Sequence, residues 1–161
     1  MPINYIGSQE MGGTSGAIYS LLFTSIHASL LEHAQTKSEK VYGKREIVAF
    51  WSQALDHAIQ VIKKYSWAEV GDRTMLESLH ATHVCLSGFV KSDICGESTK
   101  VLASRLSNDV KTAAEGTARM AAKAGRASYV DASRIVNQPD PGAIGVSIWM
   151  GAIADYLIEK S

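Results

Sequence analysis

Cysteine is scarce: the 161 residues hold only Cys85 and Cys95. Two thiols exclude a disulfide-dense secreted scaffold and offer no zinc-type ligand spacing, although a single bridge between them stays open. Neither sign of charge is in excess, because 16 Lys and Arg balance 16 Asp and Glu. A neutral chain without a basic block carries no electrostatic footprint for nucleic acid or an anionic membrane. No apolar run approaches the ~20 residues of a spanning helix, so no membrane contact is expected. The opening Met1-Pro-Ile-Asn-Tyr5 has neither a charged start nor an apolar stretch, so no signal peptide is expected either. Aspartate is missing before Asp56, which withholds aspartate ligands for a hard cation from the first third of the chain. Gly43-Lys44 lacks the upstream glycine of a Walker loop, and there is no nucleophile elbow. Asp56 and His57 are sequence neighbours and so do not face each other on a helix. These exclusions leave a cytoplasmic globular domain with one core.

What remains is helical periodicity. Ile18, Leu22, Ile26 and Leu30 form a stripe over about 17–34, and Ile47, Trp51, Ala54, Leu55, Ala58 and Ile62 another over about 45–65. Met75, Leu79, Thr82, Leu86 and Phe89 mark a third helix, opened by the capping-box pair Thr74 and Glu77. Leu102, Leu106, Val110, Ala113, Thr117, Met120 and Ala124 predict a long helix over about 97–124, stopped at Gly125. Its small residues Ala113, Ala114, Ala118, Ala121 and Ala122 would admit a neighbouring helix closely. A short turn near 131–136 follows, and then a last helix with Asp140 as N-cap and Pro141 at its first position. Its stripe is Val146, Trp149, Met150, Ile153 and Leu157. The expectation is an all-α, antiparallel amphipathic bundle of about five to six helices.

Four segments at helix ends could carry chemistry. Gly12-Gly13-Thr14-Ser15-Gly16 leads into a helix whose open N–H groups and partial positive charge suit an anion; the same residues also suit ordinary capping and packing. In Gly71-Asp72-Arg73-Thr74-Met75, Arg73 could bind phosphate or pair with Asp72 or Glu77, and Met75 could lie on a flat base or belong to the core. Arg126 in Gly125-Arg-Ala-Ser-Tyr129 could fork onto phosphate oxygens or cap the preceding helix. Asp140-Pro141-Gly142 is a sound helix start in any protein. His80 and His83 lie three apart without a nearby third ligand, which points to a structural role, and Cys85 reads as a small core residue.

In this order, Met-Gly-Gly-Thr-Ser-Gly, Gly-Asp-Arg-Thr-Met-Leu, Gly-Arg-Ala-Ser-Tyr and Gln-Pro-Asp-Pro-Gly-Ala resemble the nucleotide-binding L domain of dihydroxyacetone (glycerone) kinases. The wording is similar to the eukaryotic fused enzymes, whose animal members also act as triokinase and FMN cyclase. The resemblance covers 11–161 and leaves 1–10 as a lead. It implies a helical barrel that holds ATP at one end through its connecting loops. Thr14 and Ser15 would contact phosphates, Thr74 and Met75 would line the pocket, and Arg126 with Asp140, Pro141 and Gly142 would close it. Ser66 stands where many relatives carry glycine. The resemblance further implies Mg²⁺ held by an aspartate turn between earlier helices. Glu10 is the only carboxylate ahead of Met11, so the domain is expected to be incomplete and its metal ligands missing. The implied partners are a nucleotide and a dihydroxyacetone-binding kinase domain, in the same longer chain or another subunit; a homodimer is left open. Two functions follow: the ATP-binding part of a dihydroxyacetone kinase, or a non-catalytic helical scaffold derived from one.

Overall fold

The computed structural model describes residues 11–36, 42–92 and 98–160. Among them there is no strand, and six α-helices account for most of the chain. The residues divide into two compact units, 1–67 and 68–161.

In the first unit, α1 (Gly13–Thr36) and α2 (Lys44–Ser66) form a hairpin. Ser29 Oγ lies 3.3 Å from His57 Nδ1, and the His33 ring stacks at 4.7 Å on Phe50 and 5.2 Å on Tyr42. Later residues of α1 thus meet earlier residues of α2, so the two run antiparallel. Apolar side chains at i, i+3 and i+4 give α2 a buried face of Ala54, Leu55, Ala58, Ile59 and Ile62. Glu46 in its first turn and Lys63 and Lys64 in its last complement the helix dipole. The expected stripes run one turn too far at their outer ends: Leu22 is fully buried, but Leu30, Ile47 and Trp51 are exposed. Trp67 closes α2 in the left-handed conformation (φ 58°), its N–H bonded to the Lys63 carbonyl at 3.0 Å.

The second unit holds α3 (Leu76–Lys91), α4 (Thr99–Gly116), two 3₁₀ turns (Thr117–Arg119 and Arg126–Tyr129), α5 (Ala132–Ile135) and α6 (Pro141–Glu159). Gly151 sits against Ser107 while Asp140 meets Thr117, so α4 and α6 are antiparallel. The Ser78 hydroxyl donates to the Ala143 carbonyl at 2.9 Å, and Met75 packs on Gly142, so α3 and α6 start side by side. The beginnings of α3 and α6 and the end of α4 therefore meet at one pole of this unit. Its core is Leu76, Leu79, Thr82, Cys85, Leu102, Leu106, Val110, Ala114, Ala143 and Val146. Cys85 is buried among them.

The long helix expected over 97–124 stops eight residues early, at Gly116. Thr117 ends it: its hydroxyl donates to the Ala114 carbonyl at 2.6 Å and accepts the Asp140 N–H at 2.7 Å. A hydroxyl that serves two backbone groups competes with continuation of the helix ladder, and Gly116 beside it is a poor helix former. Of the five alanines expected to seat a neighbour, only Ala113 and Ala114 lie on α4. Gly125 has the positive φ foreseen (69°), yet its ψ of −169° is not left-handed helical, and no α-helix ends there. The stripe expected on α6 is also shifted: Ala143, Val146 and Ala154 are buried, whereas Ile153 is exposed. By length and composition alone α6 is long and apolar enough to cross a membrane, contrary to the run-length expectation. Here it packs on α4 and α3, with 22% of that span buried inside the unit.

Candidate functional site

Thr14 and Ser15 occupy the exposed first turn of α1, entered through Gly13 at φ 74°. That turn carries no acidic residue, and the two hydroxyls make no hydrogen bond among the described residues. An anion would find open donors there. Ser66 is the half-buried last residue of α2. These three belong to the first unit; the remaining candidates belong to the second.

The start of α3 is already answered by its own side chains. Glu77 is 5% exposed, and its carboxylate accepts the Thr74 N–H at 3.2 Å and the Gly71 N–H at 2.9 Å. The Thr74 hydroxyl accepts the Leu76 N–H at 3.2 Å, which completes the foreseen capping pair one residue ahead of the helix boundary. A carboxylate already occupies the positive end of this helix, so α3 is a weaker anion seat than α1. Asp72 turns away, its carboxylate accepting the Glu69 N–H at 2.8 Å.

The start of α6 is capped in the same way. Asp140 Oδ2 accepts the Ala143 N–H at 2.8 Å, and Pro141 takes the position where an N–H would be orphaned. Gly142 is what allows α3 and α6 to approach: a Cβ built on it would lie 2.9 Å from Asp140 Oδ2 and 3.3 Å from Met75 Cβ. The structure thus brings Met75, Asp140 and Gly142 into contact, with Thr74 adjacent. Met75 is only 5% exposed, so in this arrangement it belongs chiefly to the core.

Arg126 stands exposed on its 3₁₀ turn and makes no hydrogen bond or ion pair among the described residues. Capping of a preceding α-helix, its alternative role, is not seen: α4 ends ten residues earlier at Gly116, and Arg126 makes no hydrogen bond to it. Its segment is tied to the Gly71–Met75 loop through the Lys123 N–H, which donates to the Asp72 carbonyl at 3.2 Å. Ala127 and Ser128 of the same motif line an open groove of about 520 Å³ with Met120, Ala122, Ile135 and Asn137. Asp131 caps α5, and its bonds from the Ser133 hydroxyl and N–H hold its carboxyl below the ordinary aspartate range. His80 and His83 rings lie 6.4 Å apart, and among the described residues no three His, Cys, Asp or Glu side chains gather to hold a metal ion.

Three residues at this pole escaped the sequence reading. Thr117 was read only as part of the long helix's stripe and Gln138 only as the first residue of Gln-Pro-Asp-Pro-Gly-Ala, neither with a role of its own. Arg73 was noticed, yet it forms no ion pair with Asp72 or Glu77 among the described residues, and it is buried. Instead its Nη2 donates to the Gln138 carbonyl at 2.8 Å.

Comparison with known proteins agrees with the motifs. The family model described as the DAK2 domain matches residues 3–155. Triokinase/FMN cyclase of Bos taurus is 34% identical over 155 residues, covering 96% of this chain and 24% of that protein. The human triokinase/FMN cyclase is 36% identical over 151 residues, covering 92% and 23% respectively. The dihydroxyacetone kinase of Komagataella pastoris is 34% identical over 164 residues, covering 98% and 24%. The chain spans about a quarter of the length of these relatives. With nearly its whole length matched, the chain belongs to the DAK2 domain family of the dihydroxyacetone kinases.

Proposed function

We propose that the chain is the ATP-binding portion of a dihydroxyacetone kinase, from which the ATP γ-phosphate passes to dihydroxyacetone held by a separate substrate domain. The observation that carries this reading is the first turn of α1. Its hydroxyls from Thr14 and Ser15 are exposed and no carboxylate competes there among the described residues, in a segment whose wording resembles the family's phosphate-contacting motif. In the second unit the Met75–Gly142 contact and the exposed Arg126 are consistent with a nucleotide-lining role.

Transfer of a phosphoryl group asks little covalent chemistry of a protein and much positioning and charge stabilisation. In this proposal the Thr14 and Ser15 hydroxyls and the first N–H groups of α1 orient phosphate oxygens. Within the second unit, Arg126 offers a planar fork of donors suited to phosphate. Thr74, Met75 and the Asp140–Gly142 turn of that unit are its nucleoside-holding candidates, and Ser66 is a candidate contact of the first unit. Mg²⁺ supplies charge neutralisation in phosphoryl transfer generally. The described residues do not fit a metal site, so no step is assigned to one in this chain. The test is reconstitution. With the dihydroxyacetone-binding portion of a relative added, the mixture should phosphorylate dihydroxyacetone from ATP, and Ser15→Ala with Thr14→Val should abolish the rate. Equal rates with and without this chain would refute the reading.

A further inference from the structure

Three unfavourable features fall on one residue in the second unit. Arg73 has a left-handed backbone (φ 61°), which in a residue other than glycine stores strain. Its side chain is 2% exposed, so a permanently charged guanidinium has been taken out of water. The Glu77 carboxylate occupies the positive end of the adjacent α3, yet neither it nor any other carboxylate forms an ion pair with Arg73 among the described residues. One of its amines, Nη1, is buried without an acceptor among those residues. Against all this stands one interaction, the 2.8 Å bond from Nη2 to the carbonyl of Gln138, 65 residues away.

We infer that Arg73 is a positioning residue, which fixes the Gln138–Gly142 turn against the start of α3 rather than adding to stability. Gln138 is followed by Pro139, whose ring restricts φ and so transmits the anchoring stiffly to Asp140. Asp140 is then placed with its N–H on the Thr117 hydroxyl and its carboxylate on the Ala143 N–H. The same placement sets Gly142 against Met75. The functional consequence, alignment of the turn for a nucleotide, rests on the reading proposed above; the anchoring itself does not.

Positioning and stability come apart at such a residue, because replacing buried charge with apolar side chains of similar size is often neutral or stabilising. In the full chain, Arg73→Met should leave the unfolding midpoint unchanged or raised. Amide exchange at Asp140 and Ala143 should speed up about tenfold or more, the equivalent of a lost hydrogen bond from a charged donor, while Val110 in the middle of α4 keeps its rate. Arg73→Lys should restore slow exchange, since one ammonium suffices for the Gln138 carbonyl. Arg73→Gly, which relieves the backbone strain, should loosen the turn as Met does. Unchanged exchange in the Met and Gly variants, or loosening spread evenly over the unit, would overturn the inference. A parallel ADP titration keeps the two claims apart. If the parent chain binds ADP, Met should weaken binding and Lys should recover it, and equal affinities would overturn the functional consequence. If the parent chain binds none, the nucleotide reading fails and the exchange data alone decide the anchoring.

Discussion

Gly142→Ala probes the most crowded of the described glycines. A Cβ there would lie 2.9 Å from Asp140 Oδ2, 3.3 Å from Met75 Cβ and 3.4 Å from Met75 Cε. Met75 Cβ is attached to the backbone and has little room to retreat, so over-packing contributes about 1–3 kcal/mol of destabilisation. The Asp140 carboxylate can swing away, but only by releasing the Ala143 N–H it accepts at 2.8 Å, a lost N-cap of about 1 kcal/mol. Alanine returns up to about 1 kcal/mol in helix propensity. The net loss is therefore about 1–3 kcal/mol, read as a fall in the urea midpoint at constant slope. The decisive arm is the cycle with Asp140→Ala. Once the cap is gone, the alanine at 142 has no carboxylate to displace, and the double variant should fall short of additivity by about 1 kcal/mol. Strict additivity, or a stabilising Gly142→Ala, would refute the geometry.

Thr117→Val should destabilise the chain by about 1 kcal/mol or more in the same assay, because the part-buried Asp140 N–H loses its acceptor. Arg126→Ala should leave the midpoint unchanged, the side chain being exposed and free of hydrogen bonds among the described residues, yet weaken ADP binding by about 1.5–3 kcal/mol. Equal affinity would remove Arg126 from the proposed site. The Asp131 carboxyl, held low by Ser133, should titrate below an ordinary aspartate in a carboxyl-carbon NMR titration. Because its folded value is depressed, the α5 cap is fully present above the ordinary aspartate range and is lost as pH falls through the folded value. Ser133→Ala should move the titration back towards that range.

The helices were legible wherever side chains themselves cap or pattern them. Asp140 with Pro141 marked the start of α6 and Thr74 with Glu77 that of α3, and both ends lie where these residues place them. Strong amphipathicity made α2 readable to within about a residue. Failures occurred where a distant partner decides. Periodicity carries α4 on through Met120, but the tertiary bond between Thr117 and Asp140 ends it at Gly116. The role of Arg73 was illegible for the same reason: its acceptor is a backbone carbonyl, which no sequence pattern reveals. The family was legible because the wording that carries it falls on glycine, proline and capping residues at helix ends, as in Gly71–Met75 and Asp140–Gly142. Whether an N-terminus is open to an anion was not, since that depends on carboxylates such as Glu77 folding back onto it.

The most direct test of the account is isothermal titration of the folded chain with ADP, with and without Mg²⁺, alongside the Thr14→Val, Ser15→Ala variant. The account predicts saturable one-to-one binding to the parent chain and its loss in the variant while the helical circular dichroism is retained. A fully helical parent chain that takes up no ADP under either condition would contradict it.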